Sequence, residues 1–490
     1  MEKANNLSLL MCLMLAGLLL IGCASDQKYQ YDRIKKDYAN LDCSTPPTDD
    51  ISKLEEACDI NRPLSLQEAI AIARTNNPDI LITAARIEKA KAMLDQAKAP
   101  FYPYVGVYTE YLQGDAPSAY LFKTIDQRQL APNTDFNNPG WFENYETGVR
   151  AGINLYNGGR DNLQKKIAET EITVSDFDRQ GIENRLVATV TSTYYNALAA
   201  RAFIQTAQDS VDTVETQLRI MNVRFQAGGA LKSDILSLEV RLAQAREHLV
   251  QSQNQYQVAL AGLANILGIN PDVFFTVQDD AEQSLGIPNQ YPVGLAHALE
   301  HRPELFKMRE RVRQSRMAID RSRSGYLPRV DFQTRYYVAD PDMNYDLDRD
   351  NWTAGILLNW DLFTGFSTAA DQSKASAELA ETMAADRKTL LAVKFDVKQA
   401  YLNLFEAEER LKVAQSSVAK AEESLSLVKR QYEGGSANIT RYLEAQLAES
   451  QARISAIAAF YDRQKALAEI GRAIGYWSVT YNTQQDVETP

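Results

Sequence analysis

Residues 390–435, LLAVKFDVKQAYLNLFEAEERLKVAQSSVAKAEESLSLVKRQYEGG, carry the pattern that decides the fold. Taken in alternating steps of three and four, they read Leu390, Val393, Val397, Ala400, Leu404, Ala407, Leu411, Ala414, Val418, Ala421, Leu425, Val428 and Tyr432. All are apolar, an unbroken a/d seam of the kind that packs one helix against another. The same register occurs earlier as Leu186, Val190, Thr193, Ala197, Ala200, Ile204, Ala207, Val211, Val214, Leu218, Met221 and Phe225, where only Thr193 departs. A helix from about Arg160 to Phe225 would be roughly 100 Å long at 1.5 Å per residue. Both seams stop at glycine pairs, Phe225-Gln226-Ala227-Gly228-Gly229 and Tyr432-Glu433-Gly434-Gly435. A second amphipathic run follows each, with Leu236, Leu242 and Ala245 in one and Leu443, Leu447 and Ile454 in the other. Glycine supplies the left-handed cap that ends a helix and turns the chain, so each unit is a long helical hairpin with a tight tip.

The hairpins belong to a longer duplication. Asn77-Pro78 returns as Arg302-Pro303, an offset of 303 − 78 = 225, and Tyr102-Pro103 returns as Leu327-Pro328 at the same offset. Leu155-Tyr156-Asn157-Gly158 matches Leu362-Phe363-Thr364-Gly365 at 365 − 158 = 207, which then holds through Gly268 and Gly475. The first copy therefore carries 225 − 207 = 18 extra residues between Pro103 and Leu155, expected to be a surface loop. The repeats are read as 64–275 and 276–476, with hairpins at 160–268 and 367–475. Between the helical parts the period falls to two. Val105, Val107, Thr109 and Tyr111 alternate with Gly106, Tyr108 and Glu110, and similar segments run at about 147–156, 329–338 and 352–362 after the first at about 104–112. Segments of about ten residues with one apolar face read as transmembrane strands once export is established, although a soluble half-buried sheet gives the same alternation. Four strands cannot close a barrel, and open edges cannot sit in lipid, so the chain must oligomerise.

Composition narrows the function. At 490 residues the length alone suggests about three domains, a prior that the repeat overrides. With 64 acidic against 52 basic residues the chain carries −12, which argues against a nucleic-acid partner. Three histidines and four cysteines leave little material for a metal site. A mean hydropathy of −0.35 excludes a polytopic helical membrane protein but not a barrel of alternating strands.

Export is written at the front. Lys3 precedes an apolar run from Leu7 to Ile21, ending in Leu20-Ile21-Gly22-Cys23. That ending resembles the lipobox of bacterial lipoproteins, which implies a signal peptide at 1–22 and acylation of Cys23. Ala24, where an Asp would favour inner-membrane retention, points to the outer membrane. Residues 23–63 read as an anchored extension rich in Pro and Asp, and Cys43 and Cys58 within it are either a disulfide staple or two free thiols. Residues 477–490 read as a tail.

From about Leu64 to Gly475 the chain resembles the TolC family of outer-membrane efflux proteins, in its lipid-anchored branch. The residues carrying the likeness are the doubled strand-strand-hairpin unit, the two Pro-bearing starts, and the tip pattern Arg224-Phe225-x-x-Gly228 answered by Tyr432-x-x-Gly435. The resemblance implies a mainly α fold with a transmembrane β-barrel part. Three chains would close a twelve-stranded barrel, continued by a periplasmic α-helical barrel. It implies a passive exit duct for small toxic compounds or drugs, a periplasmic adaptor, and an inner-membrane pump that supplies energy. It places adaptor contacts at the tips, here Arg224, Phe225, Gly228, Gly229, Arg430, Tyr432, Gly434 and Gly435. It also implies a periplasmic latch using an Asp six residues past the first tip glycine and the Tyr of the second tip, which are Asp234 and Tyr432. The expected basic residue is replaced by Ala437, so Arg441 is the candidate cation, with Glu444 at the next pore-facing place. A solvated tip is the competing reading for these charges.

Other readings remain to be weighed. His297-Ala298-Leu299-Glu300-His301 fits H-x-x-E-H, a zinc-peptidase pattern. It aligns with Ile72–Asn76 of the first copy, which has no ligands, and Arg302-Pro303 follows at once, so neither metal nor enzyme activity is expected. No cofactor beyond the lipid on Cys23 is expected. The alternatives to efflux are a channel for type I protein secretion or a pore-less anchored coiled-coil spacer.

Overall fold

The computed structural model describes residues 63–273, 275–279, 287–288, 290–344 and 347–477. The expected lipid anchor Cys23 and the pair Cys43 and Cys58 lie outside the described residues, as does the tail beyond Trp477. In chain order the elements are α1 (Leu66–Asn76), α2 (Pro78–Lys98), β1 (Tyr104–Gly114), α3 (Pro117–Asp126), β2 (Phe142–Asn157), α4 (Arg160–Gln226), α5 (Lys232–Leu267), α6 (Tyr291–His301), α7 (Pro303–Arg323), β3 (Arg329–Asp340), β4 (Asp350–Asn359), α8 (Ser367–Glu433) and α9 (Ile439–Ile474). The helices repeat in length: α1 and α6 have 11 residues, α2 and α7 21, α4 and α8 67, α5 and α9 36. The chain divides into a helical unit and a strand unit, the latter from residues 100–157 and 328–360.

In the helical unit, each repeat opens with a short helix broken from a longer one at the X-Pro step. Ser65 and Glu68 cap α1 reciprocally, the Ser65 hydroxyl accepting from Glu68 N at 3.3 Å and the Glu68 carboxylate accepting from Ser65 N at 3.0 Å. Pro78 and Pro303 begin α2 and α7, where proline's missing N–H costs nothing. The residue before each proline ties the break to the end of the hairpin's return helix. Asn77 Nδ2 donates to the Ile266 carbonyl at 2.8 Å. Arg302 Nη1 donates to the Ala473 carbonyl at 2.9 Å and pairs with Asp396 at 2.8 Å, while Arg472 pairs with the same carboxylate. The return helices end at Gly268 and Gly475, both at φ 73°. A Cβ on Gly268 would stand 2.5 Å from the Asn76 carbonyl oxygen, and one on Gly475 3.0 Å from that of His301. Only glycine meets both the left-handed φ and this backbone approach.

All the α8 seam positions from Leu390 to Tyr432 are buried or half-buried. The α4 seam behaves likewise except at Phe225, which is exposed at the tip. Alongside the seams, Tyr194 bonds the Gln278 and Leu64 carbonyls at 2.7 and 2.8 Å, and its repeat mate Tyr401 donates to the Pro288 carbonyl at 2.6 Å. The two copies differ on a second face that the seam reading misses. On α4 this face packs against α9: Asn184 Nδ2 donates to the Arg472 carbonyl at 2.9 Å, and the Tyr195 and Tyr461 rings lie 6.3 Å apart. On α8 the matching face presents Leu391, Phe395, Leu402, Phe405 and Val413, all more than half exposed.

The strand unit is one antiparallel sheet in the order β1-β2-β3-β4, with β1 and β4 as free edges. The pairing Val107↔Val149, Val149↔Tyr336 and Tyr336↔Trp352 fixes one face, which carries Val105, Val107, Val149, Leu155, Trp352, Ile356 and Leu358 exposed. The other face is polar, with Tyr108, Glu146, Arg150, Arg335 and Thr353. Strand limits differ from expectation at two ends. β4 stops at Asn359 and not near 362, because its partner β3 begins at Arg329, next to Pro328, whose ring nitrogen has no proton to continue the ladder. β2 begins at Phe142, ahead of the expected 147, because Phe142, Asn144 and Glu146 are buried beneath α3.

That helix lies in the 18-residue insertion, which is not a bare surface loop. Lys123 Nζ meets Glu146 at 2.6 Å, Gln127 Nε2 donates to Asn144 Oδ1 at 2.9 Å, and Asp126 accepts from the Tyr337 hydroxyl at 3.2 Å. The insertion therefore covers one end of the polar face.

Two outcomes follow from the tie at the helix breaks. Gly268→Ala should cost about 2 kcal/mol or more, since it strains φ and crowds a carbonyl, and should lower the melting temperature of the purified protein. Burial raises the Asp396 carboxyl, but hydrogen bonds and charge from Arg472 and Arg302 outweigh it and hold the group below its usual 3.8. A depressed acid stabilises the fold above its ordinary value and loses that contribution as pH falls through the depressed one. Asp396→Asn should therefore destabilise the protein at neutral pH and flatten the loss of melting temperature below about pH 4.

Candidate functional site

The hairpin tips converge inside the helical unit. The α4–α5 turn carries Gly228 at φ 75° and the α8–α9 turn Gly435 at φ 79°. Below them Val214, Met221, Ile235, Leu238, Val428, Ile439 and Tyr442 form one buried cluster drawn from all four hairpin helices. The two tips are thus packed side by side by apolar contact. Met221 and Val428 are the seam residues that reach furthest toward the turns while staying buried.

A polar cluster sits on that apolar base. The Arg224 guanidinium lies over the Tyr432 ring, 5.3 Å from its centroid, and Tyr432 stacks on Tyr442 at 5.5 Å. Gln217 Nε2 donates to the Tyr442 hydroxyl at 3.3 Å. Burial pushes the Tyr432 phenol up; Arg224 opposes this and Asp234 adds to it, so both charges act on the ring. Burial also raises Tyr442, with Glu433 and Tyr432 as the next contributors. Asp234 has a local task as well: its carboxylate accepts from Leu231 N at 3.3 Å in the first turn of α5, where a negative charge suits the helix dipole.

Of the expected latch residues, Asp234 acts on the Tyr432 phenol through its charge, and no contact of Arg441 with either is present among the described residues. Arg441 and Glu444 are exposed on α9, and the Arg441 backbone N–H is taken by the capping side chain of Asn438 at 3.0 Å. The cation against Tyr432 within the chain is Arg224, expected only as a contact residue. Tyr442 and Gln217 were not anticipated. Tyr442 stands 442 − 235 = 207 residues after Ile235, so the repeat places it in the tip core, and its aromatic ring in place of isoleucine was the available signal. The remaining tip residues, Phe225, Gly228, Gly229, Arg430, Gly434 and Gly435, are exposed, as are Val223 and Leu231.

The H-x-x-E-H histidines serve the helix break. His297 Nδ1 is 3.0 Å from the Ile474 carbonyl oxygen, His301 Nδ1 is 2.9 Å from the His297 carbonyl oxygen, and the rings stack at 4.1 Å. Among the described residues no group of three potential ligands is placed to hold a metal ion.

Comparison with known proteins matches this architecture. The chain is 24% identical over 390 residues to the pyoverdine export outer membrane protein OpmQ of Pseudomonas putida, covering 79% of this chain and 81% of that one. It is 25% identical over 301 residues to the outer membrane protein OprJ of Pseudomonas aeruginosa, covering 59% and 61%. Among solved structures, the CmeC outer membrane channel of Campylobacter jejuni superposes with a TM-score of 0.72 at 15% identity, covering 86% of this chain and 89% of that one. Fold and comparisons together define an outer-membrane transport channel. The chain belongs to the outer membrane efflux protein family, whose model matches residues 69–269 and 294–476. The Trp352–Ile356–Leu358 face of the sheet is its exposed apolar face.

Proposed function

We propose that this protein is the outer-membrane exit duct of a tripartite efflux pump. It acts as a homotrimer that passes small toxic compounds or drugs, with energy supplied by an inner-membrane pump through a periplasmic adaptor. The observation that carries the trimer is the mismatch between the two repeats. The second face of α4 is covered by α9 of the same chain, whereas the matching face of α8, from Leu391 to Val413, has no cover among the described residues. By the repeat, the element that covers it is the α5 helix of a neighbouring copy, since α5 stands to α9 as the first hairpin to the second. The free edges of β1 and β4 require the same closure, and three copies supply the twelve strands of a small barrel. Transport needs no catalytic group in such a duct.

The exposed Phe225, Val223 and Leu231 beside the tip glycines fit an apolar contact for the hairpins of an adaptor. Asp234, Tyr432 and Arg441 form the latch in this reading. Arg441, exposed and unengaged by the Arg224–Tyr432 pair, reaches across to a neighbouring copy, and Glu444 lines the opening. The latch holds the end closed until the adaptor draws the tips apart. The signal peptide, the lipid on Cys23 and the anchored extension with Cys43 and Cys58 complete the proposal, the lipid tying the trimer to the outer membrane.

Two experiments test it. Tyr195 touches Tyr461 within the chain, and the repeat mates of these residues are Leu402 and Asn254. Leu402→Cys combined with Asn254→Cys should therefore give a disulfide-linked trimer on non-reducing gels, and exclusively monomeric protein would defeat the closure. In planar bilayers, Asp234→Ala and Arg441→Ala should each raise single-channel conductance several-fold, of the order expected when a few-kcal/mol contact is lost. Conductance equal to wild type in both would remove the latch while leaving the duct intact.

A further inference from the structure

The polar face of the sheet carries two arginines in one row. Arg150 of β2 and Arg335 of β3 are directly opposite in register, between Gly106 of β1 and Thr353 of β4. Like charges directly opposite in a sheet are unfavourable, so their position calls for a compensating role. Both side chains are exposed. Each guanidinium is 6.0 Å from a tyrosine ring, Arg150 from Tyr108 and Arg335 from Tyr337, at the outer limit of a cation–π contact.

The acids of this face are committed elsewhere or distant. Glu146 is held by Lys123 and the Tyr108 hydroxyl, both at 2.6 Å. Asp331 is held by Arg329 at 2.7 Å and Asn154 at 2.8 Å. Glu110, exposed beside Glu146, stands four residues along the strand from Gly106, and Asp331 four from Arg335, each about 13 Å away. Neither arginine is in a salt bridge among the described residues of the sheet. On this face Gly152 is covered by the Tyr104 ring, Gly148 lies against Tyr337, the Arg150 side chain lies across Gly106, and only the space over Gly355 is open. A chain of net charge −12 thus places an uncompensated cationic row on the face opposite the exposed apolar one.

We propose that Arg150 and Arg335 form a cationic girdle, a transient binding and selectivity site for oxyanion-bearing solutes passing through the strand part of the channel. This rests on the trimeric channel reading, in which three copies bring six guanidiniums to one level of the lumen. Guanidinium forks bind carboxylate and phosphate oxygens in pairs, which a lysine ammonium does not reproduce. Rings of charge of one sign are a general means of ion discrimination in pores. The girdle offers an anionic solute a partner at the level where the barrel wall is otherwise glycine, tyrosine and threonine.

The test uses the purified full-length protein in planar bilayers across a potassium chloride gradient, with citrate as the oxyanion probe. Arg150→Gln with Arg335→Gln should lower the chloride-to-potassium permeability ratio about threefold or more. The same double variant should abolish the block of current that citrate produces in the wild type. Arg150→Lys with Arg335→Lys should keep the permeability ratio and weaken the citrate block, separating charge from fork geometry. A conducting wild type whose selectivity and citrate response equal those of the glutamine variant overturns the girdle alone. A wild type that forms trimers but never conducts overturns the channel reading and the girdle with it. If neither double variant forms trimers, the arginines are structural and the girdle is wrong.

Discussion

The helical unit depends on one close backbone contact made twice. The peptide before each X-Pro break rests on the glycine that ends the hairpin's return helix, Asn76 on Gly268 and His301 on Gly475. The proline ends one helix and starts the next; the glycine ends the hairpin without a side chain, so the two chain ends meet at van der Waals distance. The side chain before the proline then secures the crossing, as an amide from Asn77 or as the buried Arg302 salt bridge. From those anchor points each hairpin extends as a rigid pair, and the tip geometry is set by where the pair is held.

The repeats are equal in length and unequal in chemistry, and the inequality is where function sits. Asn77 is neutral and Arg302 charged at the same point. Ile235 and Tyr442 fill the same place in the tip core, and only the tyrosine can stack on Tyr432 and accept from Gln217. The second face of α4 is covered and that of α8 is open. A perfectly symmetric duplication could close on itself in several ways; differences between the halves give each face one partner. Apolar exposure along one helix stripe and at two sheet edges signals a surface completed by further copies.

Charge follows the same division. The net negative charge is not carried by the helices: residues 100–157 and 328–360 alone hold twelve acidic against six basic side chains, while on the helices i,i+3 pairs such as Lys91–Glu88 and Lys412–Glu409 contribute little individually. The charges that do specific work are few and local: Asp396 between two arginines, Arg224 and Asp234 around Tyr432, and the Arg150–Arg335 row. Net charge of the chain therefore says little about the environment that a solute meets inside the pore.

The amino-acid sequence by itself determined the duplication, the seams, the tight tips and the alternating strands, because each is a local period imprinted residue by residue. It also placed Asp234 and Tyr432 at the hairpin tips. It did not reveal that Arg224 and not Arg441 meets Tyr432 within the chain, because rotation about a helix axis decides which of two nearby cations faces a ring. Nor did it reveal the early start of β2 or the helix in the insertion, whose burial comes from packing of α3 on the sheet. The Arg150–Arg335 row was hidden for the same reason: 185 residues separate the two in sequence (335 − 150), and only strand register sets them side by side. Periodicity is a property of neighbours along the chain, and pairing across elements is a property of the folded state alone.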